Sequence, residues 1–110
     1  MIETIIRNYL VEAQDLPVLF EHLAGAGECY IIEKTGGSEE NHIRSSTLAI
    51  QSYAGSKARA AELNEALLEL MQQAVRMPEV SAVSINSTYD YTDTAMKAYR
   101  YQAVFDIVHY

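Results

Sequence analysis

A chain of 110 residues with 15 acidic and 8 basic side chains carries a formal charge of −7. Its basic residues stand singly, so no Lys/Arg cluster can displace counterions from phosphates, which excludes sequence-specific or tight nucleic-acid binding. The lone Cys29 excludes an intramolecular disulfide and points to a reducing compartment, and no apolar run approaches the length needed to span a bilayer. The length suits one core and one domain, 1–110, and the start of the chain has no basic segment followed by an apolar one. Synthesis and folding in a cytoplasm is the expectation.

Ile2, Ile5, Ile6, Tyr9, Leu10 and Ala13 recur at helical spacing with Glu3, Arg7 and Glu12 opposite, predicting an amphipathic helix that must lie on something. Asp15-Leu16-Pro17 ends it, because the residue before proline is pushed out of the helical region. Pro17 to Leu23 reads as a short edge strand, and Gly25-Ala26-Gly27 as a turn. Cys29 to Lys34 reads as a second strand, buried on both faces at Tyr30-Ile31-Ile32, and Lys34 to Asn41 as a polar loop. His42 to Tyr53 reads as a third strand, its imperfect alternation suggesting a bulge near Ser45-Ser46.

Ser56 is a suitable N-cap for a second helix with the apolar stripe Ala60, Leu63, Leu67, Leu70, Met71 and Ala74, closed by Met77-Pro78. The last third reads as one long β-hairpin. Val83, Ile85, Ser87, Tyr89 and Tyr91 alternate with polar residues on its first strand, as do Tyr99, Tyr101, Ala103, Phe105 and Ile107 on its second. The resulting order, α-β-β-β-α-β-β, predicts an α+β fold: a mostly antiparallel sheet with two helices packed on one face and a long C-terminal β-hairpin.

Chemistry-bearing motifs are scarce, and no catalytic, cofactor-binding or metal-binding residue is expected. Gly36-Gly37-Ser38 lacks the Lys-Ser or Lys-Thr pair of a phosphate loop and is followed by two glutamates. His22, His42 and His109 have no partner at metal-ligand spacing, and Cys29 reads as a small buried apolar group. Glu62, Glu65 and Glu69 share a solvated helix face, and Asn86-Ser87-Thr88 matches a glycosylation acceptor only by coincidence. At the hairpin tip, Asp90, Thr92, Asp93 and Thr94 suit a turn that satisfies its own backbone groups. Tyr89, Tyr91, Tyr99 and Tyr101 crowd the same end. Tyrosine is enriched at protein interfaces, so Tyr89 to Thr94 with Tyr99 and Tyr101 form the expected subunit interface.

Several stretches carry a family resemblance: Ile32 to Ser38, Asn41-His42-Ile43, Leu48 to Ala54, and above all Tyr89-Asp90-Tyr91-Thr92-Asp93-Thr94 followed by Tyr99 to Asp106. Together they resemble a family of small phage and prophage proteins from Gram-positive hosts labelled minor capsid protein. Its element order is similar to that of tail-terminator and tail-completion proteins of long-tailed phages. The resemblance implies a non-enzymatic morphogenesis protein of the head–tail junction, made in the host cytoplasm and ending in the virion. Its partners would be copies of itself in a ring, commonly a hexamer in the wider group, with the tail tube and head connector on either side. Some such rings close only on the tail. An acidic ring would let DNA pass without adhesion. The competing expectation keeps the fold and makes the chain a small monomeric or dimeric adaptor that binds a phage or host partner through the hairpin.

Overall fold

Helix α1 (Ile2–Ala13) buries Ile2, Ile6 and Leu10, one residue per turn on a single face, whereas Ala13 at its end is exposed. Gln14 stops it: its side-chain amide donates to the Leu10 and Leu16 carbonyls and its oxygen accepts from the Leu16 N–H. The chain then enters β1 (Val18–Leu19), far shorter than the expected strand to Leu23, and Arg7 of α1 holds it by a 3.1 Å bond to the Val18 carbonyl. These observations come from a computed structural model that describes residues 1–23, 25–40, 43–96 and 98–110. Gly25 follows in the left-handed region at φ +77°, where a side chain would be strained, as the predicted turn requires.

Strand β2 (Cys29–Glu40) is twice the expected length, because the segment Lys34–Glu40 predicted as a loop continues the strand. It pairs with β3 (Ile43–Ala54) in an antiparallel hairpin, leaving Asn41 and His42, the expected loop end and strand start, outside the described residues. The bulge lies at Thr35 in β2, between the Lys34–Leu48 and Gly36–Thr47 pairs, and not at Ser45-Ser46 as the alternation suggested. Gly37 suits a close approach: a Cβ there would lie 3.1 Å from the Ser45 carbonyl oxygen and 3.3 Å from Lys34 Cε.

Ser56 caps helix α2 (Lys57–Gln72), accepting from the Arg59 N–H at 3.2 Å, and a 3-10 turn over Gln73–Arg76 finishes it before Met77-Pro78. Strands β4 (Val80–Asp90) and β5 (Tyr99–His109) close the chain as an antiparallel hairpin. Among the described residues five strands run in the order β1-β2-β3-β5-β4, so β5 is interior, β4 is an edge, and β1 with β2 is the only parallel pair.

Both helices lie on one face of the sheet. There Ile6 and Leu10 of α1 and Leu63, Leu67 and Met71 of α2 pack on Tyr30, Ile32, Leu48, Ile50, Ala103, Phe105 and Ile107. Burial of each Leu, Ile, Phe or Met side chain there contributes about 1.5–3 kcal/mol, and two tyrosines lock the layers: Tyr9 donates to the Leu70 carbonyl at 2.6 Å and Tyr30 to the Leu63 carbonyl at 3.0 Å. The fold is therefore the expected α+β sandwich with a C-terminal hairpin.

Candidate interface at the hairpin tip

The tip satisfies itself as a turn. Asp90 accepts from the Thr92 N–H at 2.9 Å, Asp93 accepts from the N–H groups of Ala95 and Met96, and Asp93 and Ala98 exchange two backbone bonds of 3.0 Å. Thr92 Oγ1 lies within bonding reach of both the carbonyl and the N–H of Arg100. Hydrogen bonds from Thr92, side chain first and backbone second, hold the Asp90 carboxyl below its usual range. Lys57 at the start of α2, 3.2 Å from Asp90, acts in the same direction and tethers helix to tip.

The four tyrosines separate. Residue Asn86 is an extra one in β4, between the Ile85–Phe105 and Ser87–Val104 pairs. Such a bulge shifts the alternation by one, so the face presented before it changes hands after it. Val83 accordingly packs on the helix-side core, whereas beyond the bulge it is Thr88 and Asp90 that reach α2, at Asn64 and Lys57. Tyr89 and Tyr91 therefore lie on the open face, opposite the helices, and the single-face run from Val83 to Tyr91 expected from alternation is broken. Strand β5 pairs with β3 without interruption, which keeps Tyr99 and Tyr101 in phase with Ala103 and Phe105 on the helix side, each half-buried.

On the open face, Arg100 of β5 ties β3 to the residue that follows β4. Its Nε donates to the Tyr91 carbonyl at 2.8 Å and a terminal nitrogen to Tyr53 Oη on β3 at 2.6 Å. The guanidinium lies 4.6 Å from the Tyr91 ring centre and 5.6 Å from that of Tyr53. Tyr91 meets Tyr89 edge to face at 6.0 Å, Gln102 donates to Tyr89 Oη, and Gln51 donates to Gln102. At the far side His22 stacks on Tyr53 at 4.5 Å, over a small second core of Cys29, Ile31 and Leu19. Burial pushes the Cys29 thiol up. An open cleft of about 530 Å³ runs between the loop at His22 and the turn at Met96, with Tyr53 and Tyr99 in its wall.

Arg100, Tyr53, His22 and Gln102 were thus missing from the expected interface set. Tyr53 and Arg100 are directly paired across β3 and β5, a register that no local pattern announces. Of the other candidates, Gly36-Gly37-Ser38 lies in a strand, and His109 is buried against Ser46, with Nε2 2.8 Å from the hydroxyl. Burial is the main cause lowering the His109 pKa, helped by Arg44, Lys34 and the amino terminus and opposed by a hydrogen bond with the Tyr110 backbone. Both partners of that pair are at 5% exposure or less. Among the described residues no group of three or more His, Cys, Asp or Glu side chains is placed to hold a metal ion. Nor is any helix among them long and apolar enough to cross a membrane.

No protein-family model matches the chain, and no curated protein matches it.

Proposed function

We propose that this chain is a phage structural protein of the head–tail junction, similar to minor capsid and tail-terminator proteins, which acts by assembling into a ring. The observation that carries the reading is the uncovered sheet face at the hairpin end. Tyr89 and Tyr91 are each about 40% exposed there, and Met96 at the turn is 77% exposed. Arg100 pins the aromatic rings, so the patch is ordered before any partner arrives and little side-chain entropy remains to be lost on contact. Tyrosine, arginine and methionine are the residue types enriched at protein interfaces. The resemblance of Tyr89–Thr94 and Tyr99–Asp106 to minor capsid proteins falls on this same hairpin.

In this role the subunits join their neighbours through the tip, with Tyr89 and Tyr91 as contacts on the open face and Tyr99 and Tyr101 bracing the other. A chain of net charge −7 repeated around a ring repels DNA from the wall of the passage. Ring closure follows from a head-to-tail contact of the right rotation.

Light scattering combined with negative-stain microscopy, on the protein alone and on phage tails assembled without it, tests the proposal. Closed rings in solution or at the tail end are the expected result. A chain that stays monomeric and never adds to tails overturns it and leaves the adaptor role.

A further inference from the structure

The two edges of the sheet differ in kind. Among the described residues β1 pairs only with Tyr30 and Ile31 and nothing else pairs with the outer side of β2 from Glu33 to Glu40, where every residue is exposed. It is guarded by Glu33, Lys34, Glu39 and Glu40, and charge is a common device for keeping an edge strand from pairing. Strand β4, at the opposite edge, pairs among the described residues with β5 alone. From Val80 to Tyr89 it contains no charged residue and no proline. Its bulges at Ser81 and Asn86 add twist but leave Ala82 to Ile85 as a regular run with free backbone groups. An unguarded edge of this length is a template for another strand.

We propose that β4 pairs with the free half of β2, Glu33–Glu40, of a second copy, antiparallel, extending one sheet into the next. Three antiparallel steps separate β2 from β4 through β3 and β5, so the two strands run in opposite directions. Repeating the subunit along the sheet therefore brings the next β2 alongside β4 in the antiparallel sense, slightly the more stable pairing per residue. Charge selects the partner. Pairing β2 with β2 would set two glutamate-rich rows side by side, which is destabilising. On β4 the same glutamates meet Ser84, Asn86 and Ser87, which supply donors. The pairing is heterologous, as ring closure needs, and it takes from the ring reading the identity of the partner as a second copy.

Hydrogen exchange by mass spectrometry, compared between dilute and concentrated protein, tests the pairing. Expected on assembly is about tenfold slower exchange in both Glu33–Glu40 and Val80–Tyr89. Ala82→Glu should remove that protection and weaken association about tenfold, because a carboxylate there meets the glutamates of the neighbouring copy's β2. Its melting temperature should hold, since Ala82 is exposed and faces Val108, with no acid opposite it, across the hairpin. Protection of Val80–Tyr89 alone would mean a two-fold β4–β4 dimer and overturn the proposal. Protection confined to Tyr89–Tyr101 would also overturn it while leaving a ring joined at the tips. Protection of both segments within open filaments would uphold the pairing and sink the ring. No protection at any soluble concentration overturns the pairing outright.

Discussion

The two faces of the sheet use the same strands and different glue. The helix side is sealed by fully buried Leu, Ile, Phe and Met side chains with a few tyrosine hydroxyls tying the layers. The open side is laced by polar side chains: Thr47 to Asp106, Asn86 to Asp106, Gln51 to Gln102, and Arg100 to Tyr91 and Tyr53. Apolar packing has no direction and tolerates neighbours of many shapes, whereas a hydrogen-bonded lattice fixes geometry and stays wettable. The first face builds the fold. The second can hold a surface ready for a partner.

The sharpest contrast comes from truncating one residue on each face. Leu67→Ala, at a fully buried position of α2, should cost about 3 kcal/mol in chemical denaturation. Arg100→Ala should cost only about 1–2 kcal/mol, the loss of two hydrogen bonds and its ring contacts, while weakening self-association more than Leu67→Ala does. If Arg100→Ala unfolded the protein as strongly as Leu67→Ala, the open face would be core after all.

Deleting Asn86 probes how the faces are kept apart. Removing the extra residue leaves Ile85 and Ser87 where they are paired, so Tyr89 and Tyr91 should stay on the open face. The expected cost is about 1 kcal/mol, the bond from Asn86 to Asp106. Nuclear Overhauser contacts between Tyr89 and the Gln102 side chain would verify the register, and contacts from Tyr89 to α2 would refute it.

The smallest effect belongs to His109. Its folded pKa lies below the usual 6.5, so the unfolded chain binds its proton first and stability falls as pH drops below 6.5. Above 6.5 the contribution of the neutral ring is fully present. His109→Gln, which keeps a partner for Ser46, should flatten the dependence of the denaturation midpoint between pH 7 and pH 5.5. An unchanged slope would place that proton uptake elsewhere.

Much of the fold was legible in particular residues. Ser56 and the stripe from Ala60 to Met71 specify α2, and Asp15-Leu16-Pro17 marks where α1 ends. Two of the misreadings share a cause, a bulge. Gly36-Gly37 looks like a loop because glycine breaks most local patterns, yet here it continues the strand past the extra residue Thr35, with Gly37 set close against Ser45. The run from Val83 to Tyr91 looks continuous because Asn86 occupies a polar place in the alternation without being paired. A signal was present in the switch from Val83 and Ile85 to Ser87 on the same nominal face. The candidate interface was half legible: the tyrosines stood out, but their division between faces and the gathering by Arg100 depend on pairing across strands distant in sequence.

Cys29 has a practical consequence of its own. It lies fully buried within β2, under the stacked His22 and Tyr53 pair, with its thiol held protonated by its surroundings. A thiolate is the reactive form, so a labelling reagent meets nothing until the sheet opens at that strand. With no second cysteine to compete, the chain carries its own stopwatch. The rate at which a chromogenic disulfide consumes one sulfur per molecule measures how often the native state breathes open.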